Sequence, residues 1–492
     1  MKRMKIKYSV LVWALCCGAL AGCNSFLDVN PKGTVVQEKQ FEDVQGYRDA
    51  MYGIYASMAK TGLYGKNLSW GFLDVLAQLF YSNYGYTDEA LGAAHVYKYT
   101  DPYLEGLINN VWGEAYTCIS YANNILENIE NVNLSEDPDY SLIKGEAYGI
   151  RAFLHFDVLR LFCENIMLDP GAGGIPYAYH FDLKNKEIFT LKECYDNILE
   201  DLSKAEACLV NDNEMNPKAI SEYQIGRGMH CNKYAVWALK ARVFHYKGDL
   251  DSAAFYAEKV INSPELFLVD KSEYDDMERF PCGDRTSDRV SSEMIWGLYT
   301  QQLYSSYKEL FIEAPFGGVT LSPREDLENI FEVWDFSGDS EDLRYFAFFS
   351  TSEWSSSKTF TRLLNIDEAA SSLQGICLIR LPEMYYILAE ATYEKDQAKA
   401  VRYLNDVRNS RGLADVEAYW VETWEDFKYE LVAERTREFW GEGQMFFWYK
   451  RDNAAIEDAD TWSYPVVKHG PSSEIYVLPW PKKELEYGGN SK

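Results

Sequence analysis

The chain has 492 residues, 47% of them hydrophobic and 25% charged, with a formal net charge of −28. These proportions exclude a disordered chain and leave room for a large core in one domain or two. The excess of acid repels phosphate backbones and argues against nucleic-acid binding.

Lys2, Arg3, Lys5 and Lys7 precede an apolar run from Val10 to Leu20, which is too short to span a bilayer but suits the apolar core of a signal peptide. The run ends in Leu20-Ala21-Gly22-Cys23, with a cysteine where the bacterial lipobox needs its acyl acceptor. Residues 1–22 are therefore expected to be a lipoprotein signal peptide, with Cys23 as the acylated N-terminus. Two or three acyl chains anchor durably where one would be marginal. Residues 23–40, bounded by Pro31 and Gly33 and lacking a helical period, are expected to be a tether leading to a body at 41–492.

Helical patterning starts at Phe41 and runs to Lys60, with Val44, Tyr47, Met51, Ile54, Tyr55 and Met58 at spacings of three and four. Residues 66–101 break the pattern: Trp70, Phe80, Tyr81, Tyr84, Tyr86, Tyr97 and Tyr99 are gathered among glycines, with Asp74, Gln78 and Asn83 interleaved. Rings displayed on turns are better candidates for ligand contact than rings at helical spacing. A second helical stripe covers 104–132. The next, 139–162, is apolar nearly all round, as a buried helix is, and His155 within it reads as a satisfied core histidine rather than a ligand or base. Gly171 to Pro176 reads as a loop.

Residues 232–263 carry a paired pattern in which Ala235, Ala238 and Ala241 precede the turn Lys247-Gly248-Asp249, and Ala253, Ala254 and Ala257 come after it. Small residues at close-approach positions around a short turn mark a tetratricopeptide-like hairpin. The design recurs at 384–412 around Lys395-Asp396-Gln397. Between the two, about 265–375 shows no regular period and is rich in Ser, Gly, Pro and rings, including Trp296, Tyr299, Tyr304 and Tyr307. A long aperiodic stretch inside a helical protein is functional decoration on a scaffold. Asp335, Asp339, Glu341 and Asp342 crowd one loop there and read as a solvated acidic turn ahead of a cation site.

Ten cysteines are present. Cys16 and Cys17 belong to the leader and Cys23 to the anchor, and the remaining Cys118, Cys163, Cys194, Cys208, Cys231, Cys282 and Cys377 lack C-x-x-C spacing. They are expected as small buried hydrophobes without a bridge. The six histidines form no H-E-x-x-H, and there is no nucleophile elbow, phosphate loop or EF-hand. No cofactor and no metal are expected, and nothing in the motifs indicates an enzyme.

Several stretches together resemble the SusD/RagB family of outer-membrane nutrient-binding lipoproteins. They are Cys23-Asn-Ser-Phe-Leu-Asp-Val-Asn-Pro31, Arg151 to Phe162, Arg380 to Ala391, Leu404-Asn-Asp-Val-Arg408, Glu434 to Gln444 with Phe446, Phe447, Lys450 and Arg451, and Tyr476-Val-Leu-Pro-Trp-Pro481. The resemblance implies a predominantly helical, all-α fold, with tetratricopeptide-like hairpins as a base and a large irregular half carrying the ligand surface. It implies a non-catalytic, lipid-anchored protein of the outer membrane, facing the cell surface. Its expected partners are a SusC-like TonB-dependent transporter and an oligosaccharide ligand, in the setting of polysaccharide utilisation. A peptide-binding RagB-like protein and a lipid-anchored glycoside hydrolase are the alternatives.

Tyrosine and tryptophan offer a flat apolar face with a polar handle, which suits sugars. The ligand-contact candidates are Asp74, Tyr81, Asn83, Tyr84, Tyr86, Tyr97 and Tyr99 from the first aromatic stretch and Trp296, Tyr299, Tyr304 and Tyr307 from the second. Glu434, Arg435, Arg437 and Glu438, at helical spacing, are expected as a buried ion-pair network, as are Arg151, Asp157 and Arg160.

Overall fold

The computed structural model describes residues 37–82, 88–184, 186–214, 221–272, 292–300, 302–311, 320–333, 342–351, 358–363, 374–459 and 466–487. The signal peptide, Cys23 and most of the expected tether lie outside them, as do Asn83, Tyr84, Tyr86, Cys282, Asp335, Asp339 and Glu341. The chain divides into two units, residues 1–47 and 48–492. In the first, a short helix, Gln37–Gln40, is succeeded by Phe41, whose ring lies 4.7 Å from that of Tyr47. The second unit holds the helical base and both aromatic stretches.

The longer helices in chain order are α1 (Val44–Met58), α2 (Pro102–Ile129), α3 (Pro138–Phe162), α4 (Leu191–Cys208), α5 (Lys233–Lys247) and α6 (Leu250–Ile261). They continue with α7 (Leu303–Phe311), α8 (Leu381–Tyr393), α9 (Gln397–Ser410), α10 (Trp424–Glu438) and α11 (Met445–Arg451). Four strands bear on the aromatic stretches: β1 (Phe80–Tyr81), β2 (Met294–Thr300), β3 (Ser322–Pro323) and β4 (Gln374–Arg380).

The base is a stack of antiparallel helices. In sequence, α2 packs on α3, α3 on α4, α4 on α5, α5 on α6, α6 on α8, and α8 on both α9 and α10. Local chemistry starts and stops each of them. Asp101 and Asp137 cap α2 and α3 through the N–H groups of Tyr103 and Asp139, each with a proline at the first helical position, where no N–H is needed. Thr190 and Glu193 form a reciprocal capping box on α4.

Gly248 ends α5 at φ +83°, a left-handed conformation that glycine adopts at no steric cost, and Asp249 caps α6 at once. Alanines allow the close approach, since Ala235, Ala238, Ala241, Ala253, Ala257, Ala389 and Ala400 are all buried. The helix α3 is buried on nearly every face from Gly149 to Phe162, as its all-round apolarity requires.

The aperiodic stretch is more ordered than its sequence suggests. The strand β2 pairs antiparallel with β4, and α7 comes directly after it. Every residue of β2 but Tyr299 is buried, so the alternation that would reveal a strand is missing. Residues 173–176, expected as loop, pair with 188–190. Among the described residues all sheets are two-stranded, and the molecule is predominantly helical.

Charges hold the layers together from inside. Arg242 forks Glu383 through Nε and Nη2, both at 2.6 Å, tying α5 to the start of α8. Glu390 of α8 gathers His245 of α5, Arg435 of α10 and Arg451 of α11. Lys450 is buried, and its Nζ donates to the carbonyls of Arg160, Cys163 and Tyr476, at 2.5, 2.6 and 2.7 Å. One ammonium thereby closes the C-terminal end of α3 and fixes the chain's closing segment against it.

Candidate functional site

The two aromatic stretches meet in the fold. Phe80 and Tyr81 of β1 pair antiparallel with Pro323 and Ser322 of β3. Behind them the rings of Phe80, Phe311, Phe360 and Trp440 form one cluster, with the Phe80 centroid 5.0, 5.2 and 5.3 Å from the other three. The helix α7 is fixed to this cluster by Phe311 and by the Tyr307 hydroxyl, which donates to the carbonyl of Phe360. Next to Tyr307, Ser306 Oγ donates to the Gly65 carbonyl at 3.3 Å, just ahead of the first stretch. Large rings on rigid backbone keep their geometry without a ligand.

The candidate residues divide by where the fold puts them. Tyr299 is the one exposed residue of β2, 44% open. Tyr304 lies half-buried on α7, with Lys308 Nζ 5.9 Å from its ring centroid. Tyr81 is mostly covered, and its hydroxyl donates to Glu325 at 3.1 Å. Tyr99 is half-buried and donates to the Ile475 carbonyl at 2.6 Å.

The others are occupied by structure. Trp296 is fully buried, its ring 4.8 Å from that of Phe153, and Tyr307 is fully buried as well. Tyr97, at φ +54°, donates to the Leu76 carbonyl at 2.8 Å, and burial raises its hydroxyl pKa. Asp74 is fully buried and accepts the backbone N–H groups of Gly441 and Gly443; burial pushes its carboxyl well above the usual range. Composition and turn signals could not separate these inward residues from Tyr299 and Tyr304. Glu325 and Lys308, beside the tyrosines, were missed because single charges in an acidic chain carry no signal.

The residues that could pass for an active site are a buried ion-pair network. Glu434 meets Arg344, Arg408 and Arg437, while Glu438 meets Arg344, Arg380 and Arg411. Burial alone would raise the Glu434 carboxyl, but Arg344, Arg437 and Arg408 outweigh it and bring it down to about 2. Such a group stays ionised and paired. Asp342, from the acidic loop, is fully buried and forks Arg344 at 2.8 and 2.6 Å.

Arg151 likewise forks Asp201 at 2.7 and 2.6 Å, and Arg160 pairs with Asp157. His155 accepts the Ala178 N–H at Nε2, which leaves Nδ1–H to donate to the Arg151 carbonyl at 2.8 Å. Burial, with Arg151 nearby, lowers its pKa to about 3, so it is a neutral core histidine. Cys118, Cys163, Cys194, Cys208 and Cys231 are free thiols. Among the described residues no three His, Cys, Asp or Glu side chains are grouped to hold a metal.

Comparison with known proteins gives a consistent result. Residues 25–244 match a family described as starch-binding and associating with the outer membrane, and residues 328–477 match the SusD family. SusD-like protein P2 of Formosa agariphila is 27% identical over 272 residues, 54% of this chain and 48% of that protein. SusD-like protein P38 of the same organism is 24% identical over 284 residues, 54% of this chain and 47% of that protein. The chain thus matches about half the length of these curated relatives.

Among solved structures, a SusD superfamily protein from Bacteroides thetaiotaomicron superposes with a TM-score of 0.73 at 23% identity, covering 90% of this chain and 98% of that one. A SusD superfamily protein from Bacteroides fragilis gives 0.71 at 21%, covering 91% and 98%. A SusD-like carbohydrate binding protein from Bacteroides vulgatus gives 0.67 at 18%, covering 91% and 95%. At these identities the likeness shows the fold.

Proposed function

The chain belongs to the SusD-like family, and from that premise we propose that it is a surface lipoprotein which captures oligosaccharides and delivers them to a SusC-like TonB-dependent transporter. SusD-like proteins are binding proteins rather than enzymes, and the family is associated with the outer membrane. Among the described residues no helix is long and apolar enough to cross a membrane. Attachment through an acylated Cys23 is the anchor this reading requires.

The observation that carries the ligand class is Tyr299. In a strand where every other residue is buried, this one turns a large ring to solvent. A rigid, exposed ring can stack on the apolar face of a pyranose at little entropic cost. Tyr304 supplies a second ring, and the Tyr81–Glu325 pair and Lys308 supply polar partners for hydroxyls. Asn83, Tyr84 and Tyr86, also expected as ligand contacts, lie outside the described residues. Asp74, Trp296, Tyr307 and Tyr97 are buried, and Tyr99 gives its hydroxyl to the Ile475 carbonyl, so none of them is assigned to the contact surface.

The proposal is tested by calorimetry with a panel of oligosaccharides and peptides against the protein and a Tyr299→Ala/Tyr304→Ala variant. Saturable glycan binding that the variant weakens supports it. Binding of peptides alone assigns the protein to peptide uptake, and turnover of a bound oligosaccharide would make it a hydrolase.

A further inference from the structure

A second place in the molecule is built to receive a ligand. The N-terminal half of α2 and the segment 61–67 border an open cleft of about 480 Å³. On the helix side Tyr103, Gly106, Leu107, Asn110 and Glu114 fall along a single face. Asn67 lies across from them. It is only 7% exposed, its backbone N–H donates to Thr61 and its Nδ2 reaches Gly62, yet its Oδ1 has no hydrogen-bond partner.

Glu114 Oε2 is also buried without a partner. Its carboxyl group lies directly over Gly62, where a Cβ would come within 2.2 Å of it. Burial raises the Glu114 pKa, with Lys60 opposing. Two buried acceptors left open in one cleft cost stability that a ligand donor would recover.

Gly106 is the second sign. A glycine inside a helix weakens it relative to alanine, so it needs a reason. Here a Cβ would meet nothing within 4 Å. The glycine relieves no crowding within the protein; it leaves space in the cleft wall. Beside it Tyr103 holds a ring that is 60% exposed at the rim.

We propose that this cleft is a second sugar subsite, taking a neutral pyranose whose hydroxyls donate to Asn67 Oδ1 and Glu114 Oε2 while its ring stacks on Tyr103. The polar lining fits this choice, because Thr61, Asn67 and Asn110 offer neutral hydrogen-bonding groups beside Lys66 and Glu114. The wall also bears on the tyrosine surface: Lys66 reaches Glu309 at 3.7 Å, on the same helix α7 that carries Tyr304. The inference rests on the reading of the chain as a glycan binder and adds a site that the tyrosine surface does not contain.

The test compares Gly106→Trp, which fills the cleft, Tyr103→Ala and Glu114→Gln with Tyr299→Ala/Tyr304→Ala. Saturation-transfer NMR and calorimetry use short neutral oligosaccharides on the full chain, and thermal melting confirms that each variant is folded. The expected result is two classes of sites, one weakened at least tenfold by the cleft variants and untouched by the tyrosine double variant. If glycan binds but the cleft variants leave it unchanged, the subsite is overturned and the glycan reading stands. If no oligosaccharide binds any form, both fail. Binding of calcium alone, lost in Glu114→Gln, would assign the cleft to a cation and overturn the sugar.

Discussion

Asp74 Oδ2 accepts the backbone N–H of Gly441 at 2.7 Å, joining residues 367 positions apart. Oδ1 accepts the N–H of Gly443 at 3.0 Å, so one buried carboxyl group holds the whole turn after α10. Both glycines sit at positive φ, and the space around them is closed: a Cβ would stand 2.7 Å from the Phe360 ring at Gly441 and 2.5 Å from the Leu68 carbonyl at Gly443. Asp74→Ala would orphan two buried N–H groups, and we expect a loss of about 2–4 kcal/mol in urea unfolding. Glycan affinity of the folded variant should stay unchanged; a selective loss of affinity without loss of stability would make Asp74 a ligand contact instead.

Removing one partner from the central network should be more damaging than removing a surface pair. Arg344 touches Asp342, Glu434 and Glu438 with no exposure on any of the four. Arg344→Met leaves three buried carboxylates short of a counter-charge, at an expected cost of about 3–5 kcal/mol by denaturant titration. Breaking an exposed pair such as Lys192–Asp196 should leave the denaturation midpoint nearly unchanged.

Acid should unfold the protein through the same groups. Glu434 and Glu146 both sit at about 2 against an ordinary 4.5, Glu146 because Arg227 and His230 overcome its burial. A depressed folded-state pKa stabilises above the unfolded value, so this contribution is complete above pH 4.5 and is lost as pH falls toward 2. It amounts to roughly 3 kcal/mol per group. His155, lowered to about 3 from 6.5, binds its proton more readily when unfolded and adds a loss that starts below pH 6.5. Melting temperatures across about pH 2–7 should fall monotonically toward acid, with a shallower slope in Glu434→Gln.

Lys450 makes a sharper case for a structural role. Three carbonyls from two distant segments meet its ammonium, and Lys450→Met would leave all three unsatisfied in the core. We expect a loss of at least about 3 kcal/mol and early proteolysis of the residues after Tyr476. Unchanged protease sensitivity there would show that Trp480, which donates to the Phe162 carbonyl at 3.2 Å, holds the segment alone.

The hairpins were legible because their signals are local. Alanines at close-approach positions, the Gly248 turn and the all-round apolarity of α3 each depend on residues within a few turns. The strand β2 was not legible, since a strand buried on both faces loses its period. That loss hid the site as well. Trp296 and Tyr299 look alike in sequence, yet along a strand whose register shifts at Trp296 one packs against Phe153 and the other opens to solvent. Partners such as Arg242 and Glu383, 141 residues apart, leave no mark that a single sequence can show. The orphaned Asn67 and Glu114 acceptors belong to the same class, because an unsatisfied group is defined by what surrounds it.

The central claim is that Tyr299 and Tyr304 hold sugar. Isothermal titration of the protein with neutral oligosaccharides, repeated on Tyr299→Ala/Tyr304→Ala, measures this directly. Saturable binding that falls at least tenfold in the variant, about 1.4 kcal/mol, at an unchanged melting temperature is the predicted result. An affinity identical in the two proteins, or heat from peptides with none from any glycan, would contradict it.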